Sequence, residues 1–373
     1  MVHQRSAECS APSRSRRQVS TRCRPARRAF LPPGVTTLAL GPVPGHRAGA
    51  GAAASAGERR RSVKSDSGLP RPNSFAGLDF SGARDAGRHA WVSQGRRRLR
   101  RLEVWDCRPV AELPGSGVGR DVCLPALAHW ISQRGQCLIG CDFPFSLPRE
   151  VTGGEGWETL VRAFLRRFPT PEEMRSACHD QSGRERRRQT DRESRAPLAP
   201  GNLRLYRQTY YGIRDVLSPL IRAGAASVLP FQRPSRGRPW LIEVCPAVTL
   251  RRLGLHNWHY KGPEERQRLE RRRLLELVQE LGMQLPARVC ERALHDAGGD
   301  ALDSLIALYT AWAVRNALEV EPPLATEGHI YVPEQLLGAP AARAAGSVSP
   351  VQSVWTAAST RSSPGRGPEM RRS

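Results

Sequence analysis

Five acidic residues stand in apolar company where carboxylates are rare. Asp79 closes Phe75-Ala-Gly-Leu-Asp79, Asp142 closes Cys137-Leu-Ile-Gly-Cys-Asp142, and Glu243 interrupts Trp240-Leu-Ile-Glu243-Val. Asp300 and Asp303 open the apolar run Asp300-Ala-Leu-Asp303-Ser-Leu. An ionised carboxylate is seldom buried without a partner, because losing its hydration costs several kcal/mol. Any one of these acids is accounted for by capping a turn at a strand end or meeting an arginine. Asp300, following two glycines, also suits a plain helix N-cap. Five together point to a shared task. Residues three apart on a helix lie on one face, about 5 to 6 Å between Cβ atoms, so Asp300 and Asp303 can aim at one place. If the strands ending in Asp79 and Asp142 pair in parallel, those two acids meet as well. Like charges so close raise one another's pKa unless a cation separates them. An all-carboxylate cluster suits Mg²⁺ or Mn²⁺, which can activate water and stabilise the leaving oxygen of a phosphodiester. Asp79, Asp142, Asp300 and Asp303 are the expected metal ligands, and Glu243 joins them as a fifth catalytic candidate.

The elements that must position these acids follow from hydrophobic pattern. Residues 75–79 are a short apolar run ending in small residues, a buried strand and a turn. Residues 89–94 and 98–107 continue it as an antiparallel meander. A helical spacing covers 121–134, and the continuous apolar run 137–142, stopped by Pro144, reads as a strand buried on both faces. Strand, strand, strand, helix, strand is an α/β order. Residues 150–235 read as a helical insertion, with helices over 157–168 and 203–222 flanking a solvated, arginine-dense segment at 174–195. Residues 239–246 return to buried-strand character. Pro263 opens a helix that Gly282 closes, and a strongly apolar helix over 300–317 is expected to pack on the sheet.

Taken in order, Gly77-Leu-Asp-Phe-Ser-Gly-Ala83, Asp142-Phe-Pro-Phe-Ser-Leu-Pro148, Glu243-Val-Cys-Pro246, Tyr260-Lys-Gly262 and Asp300-Ala-Leu-Asp303-Ser resemble the family known as domain of unknown function 429. The resemblance spans about residues 75 to 320. It implies a ribonuclease H-like nuclease: a mixed five-stranded sheet of order 3-2-1-4-5 with flanking helices, and catalytic acids from the first strand (Asp79), the fourth strand (Asp142) and the last helix (Asp300 or Asp303). Glu243 falls on the fifth strand, where it matches a family acid. The implied substrate is nucleic acid, DNA or RNA.

The chain of 373 residues carries 58 Lys and Arg against 35 Asp and Glu, a formal charge of +23. Residues 1–72 hold 14 basic and 3 acidic residues and 341–373 hold 5 and 1, so only +8 falls on the middle. Both ends are rich in Arg, Ala, Gly, Pro and Ser and lack amphipathic period, so they are expected to be disordered. The first 72 residues also fit an over-long start or an arginine-rich transit peptide. The expected domain is 73–335, with the insertion at about 150–235. No apolar run reaches the roughly 18 to 20 residues of a membrane span. Nine scattered cysteines with no C-x-x-C pair argue against zinc and a disulfide framework, and for a reducing, cytoplasmic setting.

Lesser candidates are Tyr210 and Arg214 beside a phosphate, His256, His259 and Lys261 in a polar loop, and the charge run 184–188; packing or solvated surface explains each more simply. Two other functions compete with hydrolysis. A non-catalytic nucleic-acid binder would act through the arginine tails with strong salt dependence. An ATP-dependent phosphotransferase of the actin and sugar-kinase type would use Asp79-Phe-Ser-Gly82, but needs a second glycine-rich loop after a duplicated sheet.

Overall fold

The short apolar runs 75–79, 137–142 and 240–244 form adjacent strands of one sheet. In the computed structural model, which describes residues 71–255, 259–318 and 327–333, the strands are β1 (Ser74–Asp79), β2 (Trp91–Arg98), β3 (Arg101–Pro109), β4 (Cys137–Asp142), β5 (Ser227–Leu229), β6 (Trp240–Val244), β7 (Met283–Gln284) and β8 (Ile330–Tyr331). Their order is β5-β6-β4-β1-β2-β3-β7, with β8 also pairing with β6. The β1-β2-β3 meander is antiparallel, and β1, β4 and β6 run parallel to one another. The expectation of five strands in order 3-2-1-4-5 is therefore corrected to a mixed eight-stranded sheet flanked by helices. The strand beside β4 is sixth in the chain because β5 precedes it and pairs along its far side. β5 is three residues long and β7 and β8 are two each, too short to leave an alternation in the sequence.

Apart from Arg71 and Pro72, the expected extension and tail lie outside the described residues, as does His256. Pro72 is buried, and Arg71 donates to Asn316 Oδ1 at 2.8 Å, so these residues belong to the fold. Among the described residues no helix is long and apolar enough to cross a membrane, and the seven described cysteines are free.

Both faces of the sheet are covered, and side-chain alternation decides which residue meets which layer. Ala76 and Leu78 of β1 and Ile139 and Cys141 of β4 pack with the helix Arg120–Ser132 and the insertion. Phe75 and Leu138 face the other way, into a core built on the terminal helix, Asp300–Val314. Gly77 and Gly140 share that second face by alternation. A Cβ at Gly77 would collide with the Ser304 carbonyl, and one at Gly140 would stand 2.6 Å from that of Ala307. The two glycines let the helix lie directly on the strands, and Ser93 Oγ ties it down by donating to the Ser304 carbonyl at 2.7 Å.

The insertion is more ordered than the arginine-dense pattern of 174–195 suggests. Helices form at Pro171–Ala177 and Gln189–Glu193, and Arg188 between them is only 1 % exposed. The expected helix over 203–222 starts at Tyr206 and passes through a π-helical stretch, Gly212–Leu217. Trp157 anchors the insertion by stacking on Phe231 at 4.2 Å and donating from Nε1 to the Phe145 carbonyl.

Candidate functional site

Parallel pairing places Asp79 opposite Asp142 in register, at the carboxyl ends of adjacent strands about 4.8 Å apart. Both continue the alternation of Gly77 and Gly140, so both emerge on the face of the terminal helix. The close seating of that helix brings Asp303, one turn in, over them. Asp300 is the first helical residue, and the cap position is Gly299, with φ +76°. Asp300 is thus not the N-cap; Asp296 serves the helix start, accepting from Ala301 N at 2.7 Å. Asp79, Asp142, Asp300 and Asp303 line one cleft of about 630 Å³ between the sheet and the insertion.

The charge balance of this cleft is strained. Burial, then the charges of Asp303, Asp142 and Asp300, push the Asp79 carboxyl well above the usual range. Burial and Asp303 lift Asp142 to about 8, opposed by Lys261 and by a hydrogen bond with Asp79. Burial and mutual repulsion thus push both carboxyls toward their protonated form. Asp300 rises to about 6, chiefly through burial, with Lys261 and His89 pulling back; the His89 ring stands 3.5 Å from it. Asp303 has both oxygens engaged, Oδ1 by the Tyr260 hydroxyl at 2.6 Å and Oδ2 by Lys261 Nζ at 2.6 Å.

Glu243 reaches the cleft from a different direction. Trp240, Ile242 and Val244 pack on the terminal-helix side, so alternation turns Glu243 to the insertion side, opposite to Asp79 and Asp142. There Arg188 donates to both its oxygens, at 2.9 and 2.6 Å, and Phe145 N donates at 2.9 Å. Arg188 also holds Asp191, at 2.7 Å. Burial pushes the Glu243 pKa up and the guanidinium pulls it back. The triad ties the insertion to the sheet and fully occupies the Glu243 carboxylate.

The other sequence candidates are elsewhere or differently employed. Tyr210 is buried and donates to the Phe168 and Pro169 carbonyls, Arg214 pairs with Asp215, and His259 is exposed. Gln208, which no pattern singled out, donates to the backbone carbonyls of Phe80 and Asp142, joining the insertion to both strand ends. The partnership of Tyr260 and Lys261 with Asp303 spans some forty residues of chain; in sequence the pair shows as the motif Tyr260-Lys-Gly262, and Lys261 is one of only two lysines among 58 basic residues.

In donor chemistry the cleft fits a hard divalent cation, since its carboxylate oxygens are close, desolvated and mutually repelling. In present position they do not enclose one: among the described residues no group of three or more His, Cys, Asp or Glu side chains is placed to hold a metal ion. The ammonium of Lys261 supplies part of the missing positive charge. No curated protein and no solved structure matches the chain. A family model does match, over residues 77–325, which takes in all five acids, Tyr260 and Lys261, and by that match the chain belongs to the family described as protein of unknown function DUF429.

Proposed function

We propose that this chain is a metal-dependent nuclease that hydrolyses phosphodiester bonds of DNA or RNA. The observation that carries this reading is the convergence of Asp79, Asp142, Asp300 and Asp303 on one cleft, with carboxyl pKa values lifted by burial and mutual repulsion. Such an arrangement disfavours its own ionised form and rewards a cation. Asp79 and Asp142 would hold Mg²⁺ or Mn²⁺, with Asp303 and Asp300 completing the oxygen set. Bound there, the ion supplies Lewis acidity toward the scissile phosphate and its water.

The remaining groups support this chemistry through position. Gln208 and the Arg188–Glu243 triad hold the insertion against the strand ends and so fix the cleft wall; Glu243 acts there as a positioning residue. Arg204, exposed on that wall, offers a charge to a phosphate backbone. We read the central strands β3-β2-β1-β4-β6 of the eight-stranded sheet as a ribonuclease H-like core to which the short β5, β7 and β8 are added, and that reading agrees with the proposed activity. The free cysteines favour a cytoplasmic setting. The phosphotransferase alternative lacks its duplicated sheet among the described residues.

The test is cleavage of labelled single-stranded, duplex, hybrid and branched nucleic acids with Mg²⁺ or Mn²⁺. Asp79→Asn is expected to lower the rate at least about 100-fold. Absence of metal-dependent cleavage on every substrate, or equal activity in Asp79→Asn, refutes the reading. Salt-sensitive binding that ignores the acids would instead indicate a non-catalytic nucleic-acid binder.

A further inference from the structure

We propose that Lys261 is a built-in counter-ion of the carboxylate cluster, its ammonium occupying the Asp303 oxygen that a divalent cation would take, so that ammonium and ion compete for that oxygen. The inference rests on the metal-binding reading above and deepens it. Consecutive residues take the two oxygens of Asp303: the Tyr260 hydroxyl donates to Oδ1 and Lys261 Nζ sits on Oδ2, each at 2.6 Å. The same ammonium stands 3.8 Å from Asp300 Oδ1. Both oxygens of Asp303 thus have partners already, one of them a cation.

The backbone carrying the lysine is pinned. The buried Arg271 donates from Nη1 to the Tyr260 carbonyl at 2.7 Å and to the Gly262 carbonyl at 2.9 Å, and from Nε to the Leu294 carbonyl at 3.1 Å. Gly262 N donates to the Ala297 carbonyl at 2.7 Å. Lys261 itself is different: its side chain is 54 % exposed, so only the tip is held. The loop backbone is held by Arg271 and Ala297 and not by the ammonium.

The residue type fits this role. In a chain whose other basic residues are arginine except Lys64, the position facing Asp303 holds a compact point charge. An arginine fork engages both oxygens of a carboxylate, and here Tyr260 has one already. A lysine needs one oxygen and gives it up with one bond broken.

The experiment is Mn²⁺ titration by calorimetry of the full chain, wild type against Lys261→Met, Lys261→Arg and Asp79→Asn. Removing the competitor in Lys261→Met is expected to tighten Mn²⁺ binding about two- to fivefold, the scale of one partly exposed charge pair. Lys261→Arg, which keeps the charge and strengthens its grip, is expected to weaken binding by a similar factor. A lysine that only props the loop would give Lys261→Met equal or weaker affinity. That result, with wild-type binding intact and lost in Asp79→Asn, overturns the counter-ion role and leaves the metal site standing. If neither wild type nor Lys261→Met binds Mn²⁺, both proposals fall. Should Lys261→Met not fold, Lys261→Gln and Lys261→Arg carry the same comparison.

Discussion

Asp142→Asn is expected to stabilise the metal-free protein, and to do so more strongly as pH rises. The folded chain lifts the Asp142 carboxyl from its ordinary 3.8 to about 8 through burial and the charge of Asp303. A raised acid pKa means that the folded state keeps a proton the unfolded chain gives up. Stability is therefore intact near pH 4 and is lost progressively as pH climbs toward 8. At about 1.4 kcal/mol per pKa unit, that interval caps the penalty near 6 kcal/mol. Relaxation and the hydrogen bond with Asp79 reduce it, so the expected gain for the variant at pH 8 is about 1 to 3 kcal/mol, because asparagine carries no charge and can donate to the Asp79 carboxylate. For a domain of this size the gain is roughly 3 to 10 °C in melting temperature. Thermal unfolding followed by circular dichroism in chelator, at pH 5 and pH 8, reads it directly. The gap between variant and wild type should widen at pH 8, and saturating Mn²⁺ should reverse their order by stabilising only the wild type. A variant melting at or below wild type at both pH values, or a gap indifferent to pH, refutes the electrostatic reasoning.

Two further substitutions probe the frame around the site. Arg188→Met leaves Glu243 and Asp191 buried without their cation and is expected to cost about 3 to 5 kcal/mol in denaturant unfolding, much of it recovered when Glu243→Gln is added. Gly77→Ala drives a methyl group into the Ser304 carbonyl, and is expected to cost about 2 to 4 kcal/mol while lifting Asp303 away from Asp79, so metal affinity should fall along with stability.

How far the site is legible in sequence depends on the distance over which each contact acts. Asp79 and Asp142 each close a local apolar run, and one assumption, that the two strands pair in parallel, brings them together. Asp300 and Asp303 are related by helix geometry alone. Glu243 shows where local reading ends. Its place on a buried strand is plain, but which face it takes depends on the register of β6 against β4, and that register turns it toward Arg188. Arg188 itself is hidden by context, since an arginine run normally means solvent and here one member is the pin of a buried triad. The extra strands escape notice because two or three residues cannot display a period. Tyr260 and Lys261 meet Asp303 only through the fold; the motif Tyr260-Lys-Gly262 and the scarcity of lysine mark the pair beforehand, but not its partner.

The proposed hydrolysis requires the carboxylates of β1, β4 and the terminal helix to grip one divalent cation. The decisive measurement is a crystal of the full chain soaked in Mn²⁺ and recorded at the manganese edge. An anomalous peak is expected about 2.0 to 2.3 Å from carboxylate oxygens of Asp79 and Asp142, with Lys261 Nζ withdrawn from Asp303. A cleft without manganese at saturating concentration, with Lys261 still seated on Asp303, would contradict that requirement.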